Sequence, residues 1–428
     1  MNIIEYVTID GLWGNEKNSI SFPLDKNFNF LIGQNGTGKT TVINLISAAL
    51  EADFERLDRI NFSRVVVALK TVGSRKKPQI EVVKSAKKNI PYFDIEYRIK
   101  NSASEKPISF DLDLFAEERF YRGLPPRILR ERFHKERYLD VQRQIQSLVK
   151  VSWLSVHRHK DEERGLDERK FVSSVDSKLQ AMHNELVRYF ALLGRRYYEQ
   201  TQDFQKKSFI SMLTSEKEAD LLKLPDEFDI EAERSSLSNI FELLKVKAAQ
   251  YERQLRTHVQ KFEDARKSLK ADKPLTLMQF GVIFNTWKMH SLVQLYEDLE
   301  ADRKRIFKPR EVFFDVMNRL LGGRKTISLT DRNELLVRAQ DGRQILIEDL
   351  SSGEKQLLII LGEALLQQSE HVVYIADEPE LSLHVTWQEQ LTSAISLLNP
   401  NAQIIFATHS PDIVGSHSDK VINMESLL

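Results

Sequence analysis

The sequence contains no cysteine in 428 residues. This excludes disulfides and thiolate metal sites, and it fits a reducing compartment. Net charge is absent as well. The 62 Lys and Arg balance the 62 Asp and Glu, so no global field draws the chain to nucleic acid or an anionic membrane. Long hydrophobic runs are also missing: the most apolar stretch, "LLIILGEALL" (357–366), is about half of what a bilayer needs and carries Glu363. The start, "MNIIEYVTIDGLWG", lacks a basic region leading into an apolar one, so no signal peptide is expected. These absences predict a cytoplasmic protein with no membrane partner. The length admits two or three domains, or one domain split by a large insertion.

What is present changes texture twice. "IIEYVTI" and "SISF" alternate as strands, "FNFLIG" (28–33) is a short apolar strand, and "TTVINLISAAL" reads as a helix. "RVVVALK", "QIEVVKS" and "FDIEYRI" alternate with period two between turn-forming clusters, which predicts an antiparallel meander. "LVKVSWLSV" (148–156) adds another strand. From about 160 to 305 the chain becomes charged, glycine-poor and helical. Leu179, Met182, Leu186, Phe190, Leu193 and Tyr197 step by three and four. So do Leu237, Ile240, Leu244, Ala248, Tyr251 and Leu255, and a run from Phe280 through Trp287 to Leu299. No heptad persists beyond three or four repeats, so these stripes predict a packed helical subdomain rather than a long coiled coil. Strands return at "KTISLT" and "ELLVRA". The final 75 residues then alternate helix and apolar strand, as an α/β core interrupted by an insertion does.

Four clusters carry chemistry. "GQNGTGKT" (33–40) lies between a strand and a helix, the setting in which a Gly-rich loop cradles phosphate. Gly36 and Gly38 let backbone N–H groups converge on oxygens, Lys39 suits the β- and γ-phosphates, and the Thr40 hydroxyl suits Mg²⁺. "VVYIADEPE" (372–380) is an apolar strand that delivers Asp377 and Glu378 at its C-terminal end. There Asp377 suits the metal shell and Glu378 the polarisation of attacking water. "IIFATHSP" (404–411) ends in His409; a lone histidine after a strand is usually structural, but one beside a γ-phosphate can sense or stabilise it. "LSSGEKQ" (350–356) sets Ser351, Ser352 and Gly353 at a helix N-terminus; taken alone, it is an ordinary Ser-capped helix start.

The order of these clusters resembles the ABC-type ATPases, within them the RecF/SMC/OLD-like branch. "GQNGTGKT" is similar to the Walker A motif, "LSSGEKQ" to the signature, "VVYIADE" to Walker B, "PELSLH" to the D-loop, and "ATHS" carries the switch histidine. The resemblance covers about 1–158 and 309–428. It implies an α/β P-loop NTPase head of ABC type with an antiparallel β subdomain, split by an inserted α-helical, short coiled-coil-like domain at 159–308. It implies ATP and Mg²⁺ as ligands. Gly33, Asn35, Gly36, Thr37, Gly38, Lys39, Thr40 and Thr41 would hold the nucleotide, and Thr40 and Asp377 the metal. Glu378, Lys39 and His409 would carry the chemistry. In this family the signature reaches across a head-to-head dimer, so Ser351, Ser352 and Gly353 would close the partner's ATP site.

Two positions depart from the pattern. "HRHK" (157–160) places His157 or His159 where the family has its Q-loop glutamine, and Ser352 and Glu354 replace the Gly and Gln usual in transporters. Transport is thereby disfavoured. A head with an insert of this length looks like the ATPase subunits of the PARIS, Septu and retron defence systems, PARIS above all. That implies homo-oligomers, a separate TOPRIM-type nuclease effector, since the chain stops near the switch histidine, and a phage-encoded trigger. The alternative is a RecF- or SMC-like DNA-repair ATPase. It draws on residues 119–143, where seven Arg and one Lys face three acids, although such runs are commonly solvated surface.

Overall fold

The computed structural model describes residues 2–15, 17–86, 93–111, 139–154, 174–211, 213, 228–271, 273–367 and 369–427. Strands β1 (Asn2–Asp10), β2 (Ser19–Pro23) and β3 (Phe28–Ile32) precede helix α1 (Lys39–Glu51) and the short α2 (Phe54–Arg59). Strands β4 (Arg64–Thr71), β5 (Gln79–Ala86), β6 (Phe93–Lys100), β7 (Ile108–Asp111) and β8 (Lys150–Trp153) follow. Next come helices α3 (Ser174–Ser211), α4 (Ile230–Leu243), α5 (Ala248–Lys270) and α6 (Leu277–Leu320). The chain continues through β9 (Lys325–Leu329), β10 (Leu335–Ala339), β11 (Gln344–Ile345), α7 (Ser352–Leu366) and β12 (Val372–Asp377). It ends with α8 (Val385–Leu398), β13 (Gln403–Ala407), α9 (Pro411–Val414) and β14 (Val421–Asn423). Two units result: Met1–Val187 together with Val312–Leu428, and Arg188–Glu311.

In the first unit, the alternating strands pair as an antiparallel sheet in the order β2-β1-β4-β5-β6-β7. A register shift between Ile4 and Tyr6 resets the alternation of β1, so that Ile4 and Val7 both face the core. A second sheet, β14-β3-β13-β12-β8, is parallel throughout. Both its faces are covered, which is why "QIIFA" and "VVYIA" read as unbroken apolar runs rather than alternating ones. A buried amide joins the two sheets. Gln403 on β13 accepts the N–H of Ile4 at 2.8 Å and donates to its carbonyl at 2.7 Å, so it pairs like one more strand residue. Helix α1 buries Val42, Ile43, Leu45 and Ile46 in the core between them. A small sheet, β11-β10-β9, leads into α7.

In the second unit, Phe204, Leu237, Ile240, Tyr251, Leu255, Val293 and Leu299 form one cluster drawn from α3, α4, α5 and α6. The stripe from Leu237 to Leu255 is not one helix. The chain breaks after α4, where Lys245 takes a φ of 58°, and restarts at α5. Leu237, Ile240, Tyr251 and Leu255 still meet in that cluster, because a tight turn brings the two apolar faces together as spacing along one helix would. Leu244 in the turn is 46% exposed. Among the described residues, no helix is long and apolar enough to cross a membrane.

Candidate nucleotide site

Parallel pairing fixes where the functional residues emerge. Ala407 of β13 pairs with Leu31 of β3 on one side and with Asp377 of β12 on the other. Three strands therefore end level, and the Gly33 loop, Glu378 and His409 leave the same edge, where α/β sheets bind ligands. Strand β14 pairs Asn423 with Ile32 and brings Glu425 to that edge too. A cavity of about 650 Å³ is lined by Gly33, Gln34, His409, Ser410 and Glu425.

The loop ahead of α1 is shaped for an anion. Gly36 and Gly38 hold φ of 87° and 82°, a region costly for any residue bearing a Cβ. No side chain caps α1, so its first amides stay available and add their partial positive charge. Asn35 and Gly36 are exposed, while Thr37 folds back and donates to the Gln34 carbonyl at 2.9 Å. Thr41 lies half-buried in the first turn. Lys39 is 5% exposed and donates to the carbonyls of Gly33 and Gln34 at 2.8 and 3.0 Å. Burial pushes its ammonium below the ordinary 10.5, against the opposing pull of Glu378, Asp377, Glu425 and Glu380. These four carboxylates outnumber the one cation, so anionic phosphate would bind here only with further positive charge, such as Mg²⁺, beside Lys39. The Thr40 hydroxyl donates to Asp377 at 3.1 Å. That pair offers two hard oxygens and suits Mg²⁺, which fills its remaining positions with water and phosphate. Among the described residues, no three His, Asp or Glu form an all-protein metal cluster.

Glu378 adopts a φ of 50°, with its N–H held by the Ala407 carbonyl at 2.8 Å. A non-glycine residue in this region costs about 1–3 kcal/mol, so the surrounding loop must hold Glu378 in this conformation. His409 is exposed at the cavity wall.

The signature cluster is built differently from the phosphate loop. Ser351 caps α7 by accepting the Glu354 N–H, and Glu354 reciprocates by accepting the Ser351 N–H at 2.8 Å. The helix-cap interpretation is therefore correct in local detail, yet Ser351 and Ser352 remain exposed beside it. Lys325 on β9 holds Glu354 at 2.7 Å. Burial pushes the Glu354 carboxyl up, but Lys325 and the Ser351 donors outweigh it and keep it below its ordinary 4.5. Gly353 is buried, and a Cβ there would lie 2.3 Å from the Ser382 carbonyl oxygen. Its missing side chain is thus required by the D-loop of the same chain. Further along α7, Lys355 pairs with Asp176 at 2.7 Å and Glu363 with Lys178 at 2.9 Å, which fastens the first turns of α3 to this helix.

Several neighbours carry no motif. Trp13, at a φ of 60° and 43% exposed, lays its indole against Gly38, where a Cβ would come within 2.5 Å of the ring. Its only signal in the chain is an aromatic between two glycines in "GLWG". Glu425 accepts the Gln34 N–H at 2.9 Å, and Gln356 donates to the Pro379 carbonyl at 2.9 Å. His157 and His159 lie outside the described residues, as does most of the basic run at 119–143.

Comparison with known proteins bears on this geometry. The family model described as "AAA domain, putative AbiEii toxin, Type IV TA system" matches residues 28–415. The chain belongs to this family. The match begins at β3 and runs past His409, so it takes in β3, β12, β13 and the loops that leave them, but not β14 or Glu425. The chain is 29% identical over 147 residues to the Septu protein PtuA of Bacillus thuringiensis, covering 31% of this chain and 36% of that protein. It is 33% identical over 111 residues to the Retron Vc95 probable ATPase of Vibrio cholerae serotype O1 biovar El Tor, covering 23% of this chain and 21% of that one. The chain thus spans about a third and about a fifth of these relatives' lengths. Among solved structures, an Smc head domain with an extended coiled coil, bound to the C-terminal domain of ScpA and derived from Pyrococcus furiosus, aligns over 97% of this chain and 91% of that one, with 12% identity and a TM-score of 0.44. An SMC head domain from Thermotoga maritima gives 11% identity and a TM-score of 0.38, covering 96% and 90%. Scores this low carry no further argument.

Proposed function

We propose that this AAA-family chain binds and hydrolyses ATP as the switch subunit of a prokaryotic anti-phage defence complex. The observation that carries the reading is the level ending of β3, β12 and β13, which gathers Lys39, Thr40, Asp377, Glu378 and His409 at one edge. In this reading the Gly33–Thr41 loop cradles the phosphates with its free amides, and Lys39 pairs with the β- and γ-phosphates. Thr40 and Asp377 hold Mg²⁺, which when bound neutralises charge between those phosphates. Glu378, aimed by its left-handed backbone, takes the proton of the attacking water, and His409 steadies the γ-phosphate.

Ser351, Ser352 and Gly353 complete the site of a second copy. The exposure of Ser351 and Ser352 at the start of α7 supports this, as does the family pattern of the motifs. ATP then joins two heads, and its hydrolysis releases them, a two-state assembly biased by differential contacts. The kinship in sequence with a Septu protein and a retron ATPase supports a defence role. The assembly would hold a separate effector, a TOPRIM-type nuclease in the PARIS-like version, until a phage product triggers its release.

The test is hydrolysis by the purified protein with ATP and Mg²⁺. Glu378→Gln is expected to bind ATP, slow turnover by about 10²- to 10⁴-fold and accumulate a larger assembly. Undiminished turnover in that variant would remove Glu378 from its role. Co-purification with a neighbouring gene's nuclease would support the effector, and a complex of this chain with DNA but no protein partner would favour repair instead.

A further inference from the structure

We infer that Glu380 is a positioning residue that sets the switch loop and ties it to the signature helix. This rests on the reading of the site as an ATP-hydrolysing one. The acid that follows Pro379 has no assigned role in the chemistry above, yet its carboxylate is heavily engaged at the edge. Its Oε1 accepts the Thr408 hydroxyl at 2.6 Å, the His409 N–H at 2.9 Å and the Ser410 N–H at 3.2 Å. Three consecutive residues of the switch loop therefore converge on one oxygen, and Thr408 is fully buried there. Among the described residues, the other oxygen, Oε2, is buried without a hydrogen-bond partner, so the switch-loop donors fix the pose of the carboxylate.

The backbone of Glu380 is secured as well. Gln388 on α8 donates to the Leu383 carbonyl at 2.9 Å, approaches that of Glu380 at 3.5 Å, and accepts the Ser410 hydroxyl at 2.7 Å. Ser410 in turn caps α9. One residue earlier, the Pro379 carbonyl receives the amide of Gln356, a buried residue of α7. Two adjacent residues thus link two loops: Pro379 to the signature helix and Glu380 to the segment that carries His409. In the proposed dimer these two loops serve different nucleotides. A shift of α7 against its partner's phosphate would reach the backbone of His409 through a single peptide unit.

The experiment compares Glu380→Ala with Glu380→Gln, with Thr408→Val as a milder variant. Gln keeps an acceptor oxygen for the three donors, whereas Ala leaves the His409 N–H and the buried Thr408 hydroxyl without that acceptor, and the Ser410 N–H keeps only Thr408 Oγ1 at 2.9 Å. Glu380→Ala is expected to lower kcat about 10- to 100-fold with nucleotide affinity unchanged, and Glu380→Gln to restore most of it. A second readout needs no hydrolysis. In nucleotide-free protein, the peptide containing His409 and Ser410 should exchange amide hydrogen faster in Glu380→Ala and Thr408→Val than in Glu380→Gln or the parent. Unchanged exchange there would overturn the inference whether or not the protein hydrolyses ATP. Equal loss of kcat in the Ala and Gln variants would overturn it too, by showing that charge rather than the acceptor acts. An inactive parent with the expected exchange pattern would defeat the ATPase reading and leave the positioning role standing.

Discussion

Replacing Gly353 with alanine tests how the signature cluster is held. A Cβ on Gly353 would lie 2.3 Å from the Ser382 oxygen and 3.3 Å from Trp387 Cζ3. Ordinary contact needs about 1 Å more, and neither neighbour gives way readily. The oxygen belongs to backbone at a φ of 71°, and the indole is pinned by its N–H to the Leu320 carbonyl at 2.7 Å. Forcing one carbon into such a space costs about 1–3 kcal/mol, reduced by up to about 1 kcal/mol because alanine favours helix. At about 2–4 °C per kcal/mol, the unit carrying α7 should melt several degrees lower, and it should do so without nucleotide. Differential scanning fluorimetry of Gly353→Ala beside Ser352→Ala reads this directly. The exposed Ser352 substitution should stay within about 0.5 kcal/mol of the parent. A Gly353→Ala protein that melts with the parent but fails only in ATP-driven assembly would refute the reasoning, by placing the need for glycine at the partner's phosphate.

Three further outcomes follow from the same contacts. Because the Trp13 indole rests on Gly38, ATP should change intrinsic fluorescence, and Trp13→Phe should abolish that change while the Trp153, Trp287 and Trp387 signals persist. In the proposed site Lys39 would pair with phosphate as a cation, and burial holds its free form below 10.5, so ATP uptake should be accompanied by proton retention. ATP affinity, measured by titration calorimetry, should therefore fall as pH rises through an alkaline range that begins below 10.5. Removing the cation with Lys325→Met should destabilise the head by about 1–3 kcal/mol, and adding Glu354→Gln should recover most of it. In the parent, Glu354 sits below its ordinary 4.5, so its contribution is complete above 4.5 and is lost as pH falls through its lowered folded value.

Much of the head was legible because its signals are local. Alternation marked the meander, unbroken apolar runs marked the covered parallel strands, and "GQNGTGKT" required only a strand before it and a helix after it. The helical insertion was legible as a texture, but not in its breaks. The stripe through Leu244 and Ala248 keeps helical spacing across a turn, since spacing records which faces meet and not whether the backbone continues. What escaped reading is long-range. Trp13 reaches Gly38, Gln403 imitates a strand partner for Ile4, and Glu380 gathers the switch loop, each through contacts that only the folded sheets create. The signature illustrates both sides. Its capping box was readable from Ser351 and Glu354, whereas the reason for Gly353 lies in Ser382 of another loop.

The central claim is that each ATP site is completed by a second copy of the chain. Lys39→Ala and Ser351→Arg proteins, each inactive alone, should be mixed in equal amounts and assayed for ATP hydrolysis. Half of the resulting dimers would pair the two variants, and each of those would hold one intact composite site, so activity should return to about a quarter of the parent. No recovery on mixing, together with hydrolysis by isolated monomers of the parent, would contradict the account.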